Sequence, residues 1–376
     1  MDKKEKFIHG FNLASGGGFT VLNRIWRYFK NWQTAWEKGE AVDFVKAGLT
    51  KEMAERITEI KDHINVNEEL ETLYEKDIFL LGKDHDEYPA LLKETPSAPF
   101  CLYRKGAALK FISESGVDFI AMVGTRKISE YGEKVAIQIG GKIARHGVIV
   151  SGLALGVDAA SHWAAVKAGR PTVAVLATGV ERITPVSNYG LAMKILETGG
   201  TLVSEYPDFC KALMEYSGFD ATVSFKNRYL ERNRIIAGMS RATIVVEAPE
   251  KSGALSTAKW ALEFGREVYA VVGDIGKTQS EGCHNLIEKG EGYAILSIKG
   301  LLEDLKMDGQ EDDGDKIVEN LDSRQVAVRQ ILGRGAASTD EIAAVIKMPV
   351  NELNAELTRM EMSGLIKKGA SGWRIE

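Results

Sequence analysis

Lys226, Arg228, Arg232 and Arg234 crowd around Tyr229 in the stretch FKNRYLERNRIIAGMS, residues 225–240, with Phe225 alongside. Cations interleaved with aromatic rings suit unpaired nucleic acid. The charges follow the phosphates and the rings stack on bases, each stack worth about 1–3 kcal/mol. A basic cluster is otherwise a solvated face. This one leads into a predicted helix start, RNRIIAGMS with Asn233 between two arginines, ahead of the apolar run ATIVVEA. It therefore belongs to a folded domain and not to a tail.

Three glycine turns could add anion contacts. VGTRKISEYG offers Gly124 for close backbone approach, Thr125 for a hydroxyl, Arg126 for a bidentate phosphate contact, and Lys127 beside it. It is not GxGxxG, and no acidic residue follows a second strand at the spacing that holds a ribose, which weighs against a dinucleotide. SGLALGVDAASH sets Ser151 and Gly152 where a hydroxyl and amides can face an anion, with Asp158 capping or bracing the helix start. His162 has no Cys or Asp at ligand spacing and reads as structural. EAPEKSGALSTAKWALEFG places Lys251, Ser252 and Gly253 before another helix start at Ser256 and Thr257. A dinucleotide needs one such turn, whereas an extended phosphate chain can use several. The pattern leans toward a polynucleotide, with no catalytic residue, metal or cofactor expected.

These turns must sit on a sheet. DFIAMVG, GVIVSG, PTVAVLA, GTLVSEY, ATIVVEA and EVYAVVG are short apolar runs rich in Val and Ile, as buried parallel strands require. Helical patterns such as GEKVAIQIGGKIARHG and STAKWALEFG separate them. The alternation predicts an α/β fold with a doubly wound, mostly parallel Rossmann-like sheet over 118–305. Residues 1–66 read as an all-helical module whose Trp and Tyr residues fall on the apolar stripe and form core. Residues 67–117 connect it through short strands and turns, and the acidic stretch 306–320 is a linker. Residues 321–376 read as three helices and a hairpin, with STDE at 338–341 a capping box. That is the layout of a winged helix.

Composition bounds the partners. The chain has 376 residues, 44% hydrophobic and 27% charged, as in ordinary globular proteins. Its 3 cysteines, Cys101, Cys210 and Cys283, are scattered without CxxC spacing, which argues against a zinc site and for a reducing compartment. No apolar stretch approaches a membrane span, so a cytoplasmic protein with no membrane contact is expected. The net charge of −5 means that polyanion binding must come from a local patch.

In their order along the chain, VGTRKISEYG, SGLALGVDAASH, RNRIIAGMS, EKSGALSTAKWALEFGREVYAVVG and QSEGCHNLI resemble the DNA-processing protein A (DprA/Smf) family nearly end to end. The resemblance implies an N-terminal module of the SAM or helix-hairpin kind, a Rossmann-like domain and a C-terminal winged helix. It implies a cytoplasmic protein that dimerises through the Rossmann-like domain. Such a protein binds and protects single-stranded DNA in natural transformation and helps load the RecA recombinase. Family positions fall on Gly124, Thr125 and Arg126, on Ser151 and Gly152, on Lys226 with Tyr229 as phosphate contact and stacking ring, and on Arg232, Asn233 and Arg234. The chain departs from the family at Leu155, where an arginine is usual, at Tyr229 and Leu230, and at His284.

Two rivals come from other classes. Rossmann-like nucleotide phosphoribohydrolases carry PGGxGTxxE with a catalytic Glu three residues after the Thr, where this chain has Trp260. An indole cannot transfer the proton, although Glu247 and Glu263 stand nearby. A DNA-binding regulator would read sequence through the winged helix. Its third helix, however, carries Glu352, Glu356 and Glu361 against Arg359, and carboxylates repel phosphates. The winged helix therefore reads as a partner-docking or regulatory module.

Overall fold

The computed structural model describes residues 4–110, 117–208, 221–307, 323–332, 337–346, 348–362, 366–369 and 372–375, without the side chains of 221–226, 323, 326, 329, 330, 362 and 375. The side chain of Lys226, the linker residues 308–320 and the wing tip at 370–371 lie outside the described residues. The chain divides into two compact units, Met1–Met307 and Asp308–Glu376.

The first unit opens with helices α1 (Glu5–Ser15), α2 (Phe19–Phe29), α3 (Trp32–Lys38), α4 (Ala41–Lys46), α5 (Lys51–His63) and α6 (Val66–Glu75). Helix α1 runs through the middle, buried along nearly its whole length. Phe11 meets the Trp36 ring edge-on at 5.0 Å, and Trp26 stacks on Trp32 at 5.2 Å. This apolar cluster continues without a break into Cys101, Tyr103, Leu176 and Leu202 of the sheet. The helical module and the sheet therefore share a core.

The sheet has nine strands: β1 (Ile78–Gly82), β2 (Cys101–Gly106), β3 (Phe119–Val123), β4 (Val148–Ser151), β5 (Thr172–Leu176), β6 (Thr201–Ser204), β7 (Ala242–Val245), β8 (Glu267–Val271) and β9 (Tyr293–Ile295). Their order is β1-β2-β6-β5-β4-β3-β7-β8-β9. β1 pairs antiparallel with β2, and β2 with β6; every other pairing is parallel. The stretch between the helices and the Rossmann-like core thus supplies the sheet's antiparallel side. Along the central strands the two faces alternate with a period of two. Ile120 and Met122 pack in one core, and Ala121 and Val123 in the other.

Helix α7 (Ala90–Lys93) precedes β2, and α8 (Glu130–His146), α9 (Val157–Lys167), α10 (Tyr189–Glu197), α11 (Ala221–Met239), α12 (Ala254–Glu263), α13 (Thr278–Glu288) and α14 (Ile298–Asp304) cover the sheet. Helix α8 shows how the sequence builds them. Ser129 caps it by accepting the Gly132 N–H at 3.0 Å, and Ala136, Ile139, Gly140, Ile143 and Ala144 form its buried stripe. Helix α11 differs from expectation. The stretch FKNRYLERNR continues RIIAGM as one helix instead of forming a loop before it. Between 221 and 237 no Gly or Pro interrupts it, and Ile235, Ile236 and Met239 anchor its C-terminal half in the core.

Strands β3 to β6 wind in one direction from β3, and β7 to β9 in the other. The connections leaving β3 and β7 therefore part company, and a crevice opens at their carboxyl ends.

The second unit contains α15 (Ser323–Leu332), α16 (Thr339–Ile346), α17 (Val350–Met362) and a hairpin, β10 (Ile366–Gly369) with β11 (Gly372–Ile375). Ser338 and Glu341 form the capping box reciprocally: the Ser338 N–H donates to Glu341 Oε2 at 2.7 Å, and the Glu341 N–H to Ser338 Oγ at 3.3 Å. Leu353, Leu357, Ile366 and Trp373 close the core of a winged helix.

Two histidines are sealed inside the first unit. The Thr172 hydroxyl gives its proton to the Ile149 carbonyl at 2.8 Å, so His162 Nδ1–H must donate to Thr172 Oγ1, also at 2.8 Å. His9 meets the Tyr103 hydroxyl at 2.9 Å. Burial pushes both imidazoles from 6.5 down to about 3. A lowered histidine pKa means that the unfolded chain binds the proton first. Stability is therefore full above pH 6.5 and falls as the pH drops toward 3. Each histidine is expected to remove about 2 kcal/mol between neutrality and pH 5. Urea titrations of wild type and His162→Gln should give profiles that separate below pH 6.5, the variant having the shallower loss; parallel profiles would refute the assignment.

Candidate nucleic-acid interface

A cleft of roughly 190 Å³ lies at the switch point, lined by Val123 at the end of β3 and Gly124 and Arg126 after it, Ala154 and Asp158 after β4, Ser252 and Gly253 after β7, and Tyr229, Arg232 and Asn233 of α11. The strand-end turns singled out in the sequence converge there. Arg126 is exposed and lies over the Tyr229 ring, 5.3 Å from its centroid. A cation on a half-buried ring offers a base two stacking surfaces and a phosphate one charge. Lys127 and Lys251 are exposed on the neighbouring turns but do not line the cleft.

The basic cluster of α11 is arranged differently from the phosphate track its sequence suggests. Arg228, Arg232 and Arg234 are all buried. Arg228 donates to the Gly16 carbonyl at 2.6 Å and stacks over Tyr206. Arg232 donates to the carbonyls of Gly152 and Val175 and, through Nε, to Asn233 Oδ1 at 3.2 Å. Arg234 pairs with Glu205 at 2.5 Å and lies over Phe19. The physical reason is tertiary: α11 packs against β3, β4 and β5, and the carbonyls of Gly16, Gly152 and Val175 and the Glu205 carboxylate draw three of its cations inward. Arg232 and Asn233 still form the cleft floor. Asn233 donates to the Gly253 carbonyl at 3.1 Å and to Ser256 Oγ at 2.7 Å, which ties α11 to the start of α12.

The backbone amides of the turns are likewise engaged. The Ser129 N–H donates to Glu247 Oε2 at 2.9 Å, and the Ser129 hydroxyl to Glu247 Oε1 at 2.5 Å. Asp158 Oδ2 accepts from the N–H groups of Gly152 at 3.1 Å and Ala154 at 3.3 Å. Burial raises the Asp158 carboxyl, against the pull of Arg232 and those amides. Ser151 gives its hydroxyl to the Met122 carbonyl at 2.6 Å, and Ser252 Oγ accepts the Ala254 N–H at 3.3 Å. Thr125 is buried: its N–H donates to the Glu247 carbonyl at 2.7 Å, and its hydroxyl oxygen accepts the Lys127 N–H at 3.2 Å. Gly124 serves packing: a Cβ there would lie 2.4 Å from Val157 Cγ2. Asp158 thus braces the β4 turn, and Glu247 ties the residues after β7 to Ser129 at the start of α8.

Sequence reasoning missed Ala154 and Leu230 as cleft lining, since neither carries charge. Trp260 stacks on Phe264 at 5.6 Å, and Glu263 pairs with Lys259 at 3.9 Å; neither acid of the hydrolase alternative lines the cleft. In the winged helix, Glu356 is buried and accepts from Gln325 Nε2 at 2.6 Å, while Glu352 and Glu361 face solvent. Among the described residues no group of three or more His, Cys, Asp or Glu could hold a metal, and no helix is long and apolar enough to cross a membrane.

A family model described as DNA recombination-mediator protein A matches residues 79–306, and one described as the DprA winged helix domain matches residues 316–372. Protein Smf from Synechocystis sp. is 32% identical over 401 residues, spanning 98% of this chain and 97% of that protein. The X-ray structure of DNA processing protein A from Streptococcus pneumoniae is 30% identical with a TM-score of 0.63, covering 81% of this chain and 98% of that one. DNA processing protein A from Helicobacter pylori, whose structure is described with a single-stranded DNA binding mode, has a TM-score of 0.51. It is 24% identical over 61% of this chain and 96% of that one, a likeness that shows the fold.

Proposed function

Because this chain belongs to the DNA recombination-mediator protein A family, we propose that its switch-point cleft binds single-stranded DNA and that it acts without a catalytic step of its own. The observation that carries this is Arg126 poised over Tyr229 at the mouth of a cleft shared by three strand-end turns. An unpaired base can slide between guanidinium and phenol or stack on the guanidinium, while Arg126, Lys127 and Lys251 meet successive phosphates. The sequence offers Lys226 as a further phosphate contact. Ser151, Gly152 and Thr125 support the cleft from beneath, while Arg234 is held by Glu205 away from it. In the cell the bound strand is protected during DNA uptake and passed to the RecA recombinase, with the protein acting as a cytoplasmic homodimer; family membership supports these roles.

The test is fluorescence anisotropy with a labelled oligo-dT, its duplex and mononucleotides across a salt series. Wild type should favour the single strand. Arg126→Ala, an exposed change that leaves the fold intact, should weaken binding about tenfold and lower the salt slope by about 0.7. Unchanged binding in that variant would remove this cleft from the interface. Preference for duplex would favour the regulator reading, and release of free base from a nucleotide the hydrolase.

A further inference from the structure

The parallel order of β5, β4 and β3 brings the residues that follow these strands to one edge, at steps of about 4.8 Å. Beyond the cleft the rim continues from the β3 turn over the β4 turn to the segment after β5. Two sets of contacts hold it together. The Val157 N–H donates to the Thr125 carbonyl at 3.2 Å, and a Cβ at Gly156 would fall 2.2 Å from that oxygen and 2.9 Å from Arg126 Cα. The β4 turn is thus pressed onto the Arg126 turn. On its other side the buried Asn188 side chain donates to the carbonyls of Leu153 at 2.9 Å and Ala154 at 3.2 Å, which fixes the start of α10 against the same turn.

Three apolar side chains stand out from this rim. Leu155 is 44% exposed, Val186 81% and Tyr189 54%. None of them lines the cleft itself. Leu155 and Tyr189 each follow directly on a member of the Ala154–Asn188 bond, one Cα step of about 3.8 Å away. A single exposed Leu or Val needs no explanation, but large apolar side chains gathered on one rim mark a contact surface. Charge is divided the opposite way. The turns after β3 and β7 carry Arg126, Lys127 and Lys251. Residues 152–156 carry no charge, and 177–190 carry Arg182 beside Glu181, which itself pairs with Lys76 at 2.9 Å and Lys105 at 3.6 Å.

We propose that Leu155, Val186 and Tyr189 form a base shelf. An unpaired strand leaving the cleft lays its bases on this apolar side of the rim, with the Tyr189 ring as a second stacking platform after Tyr229, while its phosphates keep to the cationic side. The proposal rests on the single-strand role of the cleft. It commits to nucleic acid because the shelf is continuous with that cleft, and because a base, unlike a phosphate, needs a ring or methyl face and no countercharge. Shelf and cleft then differ in their response to salt. Phosphate contacts release counterions and weaken as salt rises, whereas stacking does not.

The test is oligo-dT anisotropy across the salt series on wild type, Tyr189→Ala and Tyr189→Phe, with thermal melting as the check on folding. The same strand carrying iododeoxyuridine is irradiated on the protein, and the crosslinked peptide is identified by mass spectrometry. Tyr189→Ala should weaken binding about tenfold at every salt concentration and keep the slope of wild type, where Arg126→Ala lowers it. Tyr189→Phe should bind like wild type, and crosslinks should fall on the peptide that contains Tyr189 as well as on that of Tyr229. A folded Tyr189→Ala protein that binds like wild type, or crosslinks confined to Tyr229, would overturn the shelf and leave the cleft standing. So would undiminished DNA binding by Tyr189→Ala together with a change in its sedimentation, which would make the patch a contact between proteins. Wild type that binds no oligo-dT would refute the reading of the cleft, and the shelf with it.

Discussion

Glu205→Ala is expected to destabilise the first unit by about 3–5 kcal/mol, because it strands a guanidinium in the core. Glu205 is 1% exposed and Arg234 5%. Their 2.5 Å contact lies beside the ring of Phe19, at the seam between the helical module and the sheet. Burial raises the Glu205 carboxyl, with Arg234 pulling against it, so the pair survives as ions only because each has the other. Taking away the acid leaves Arg234 charged and dry. Taking away Arg234 lets Glu205 neutralise itself, so Arg234→Met should cost less than Glu205→Ala. The double variant Glu205→Leu, Arg234→Met removes both charges and should recover most of the loss, since two apolar side chains can replace a buried pair at little cost. Urea unfolding of the single and double variants checks this. Losses that simply add would show that the two residues do not act as a pair.

The strands of this protein are legible in its sequence because a parallel strand covered on both faces has no alternative to a continuous apolar run. Ile120 to Val123 and Ile244 to Val246 announce themselves in this way. The position of the cleft is legible for a related reason. Glycine and small polar residues follow those runs, and in a doubly wound sheet the strand ends must gather on one edge. The orientation of the cations in α11 is not legible. Charge in a sequence argues for solvent, and what turns Arg228, Arg232 and Arg234 inward lies far along the chain: the Gly16 carbonyl, the Gly152 and Val175 carbonyls, and Glu205. A local pattern carries no trace of partners 29 to 212 residues away. The same holds for Glu247, which reads as one acid ending a strand until the fold sets it on the start of α8, 118 residues earlier. Tyr229, by contrast, stays half-exposed, with Arg126 from the turn after β3 over its ring in place of the arginines of its own stretch.

Gly152→Ala is expected to be the most damaging single-methyl change at the cleft. A Cβ at Gly152 would lie 2.1 Å from Arg232 Nη1 and 2.4 Å from its Cζ, contacts that no side chain tolerates. A flexible arginine at a surface would move aside. Arg232 cannot, being 4% exposed and held by two carbonyls and the Asn233 side chain. The methyl must therefore expel the guanidinium or push β4 away from α11. Expelling it unpairs the Gly152 and Val175 carbonyls and leaves Asp158 without its countercharge. Moving the backbone shifts Asn233, and with it the tie to Gly253 that sets the width of the cleft. Either route should lower stability by about 2–4 kcal/mol and weaken oligo-dT binding about tenfold or more, although Ala is a smaller perturbation than most substitutions. Arg232→Ala makes room for the methyl. If the collision is the cause, Gly152→Ala should cost almost nothing further in an Arg232→Ala background, in both unfolding and anisotropy. If Gly152→Ala proves as stable as wild type, or costs the same in both backgrounds, the packing of Arg232 against the β4 turn is not what holds the cleft in shape.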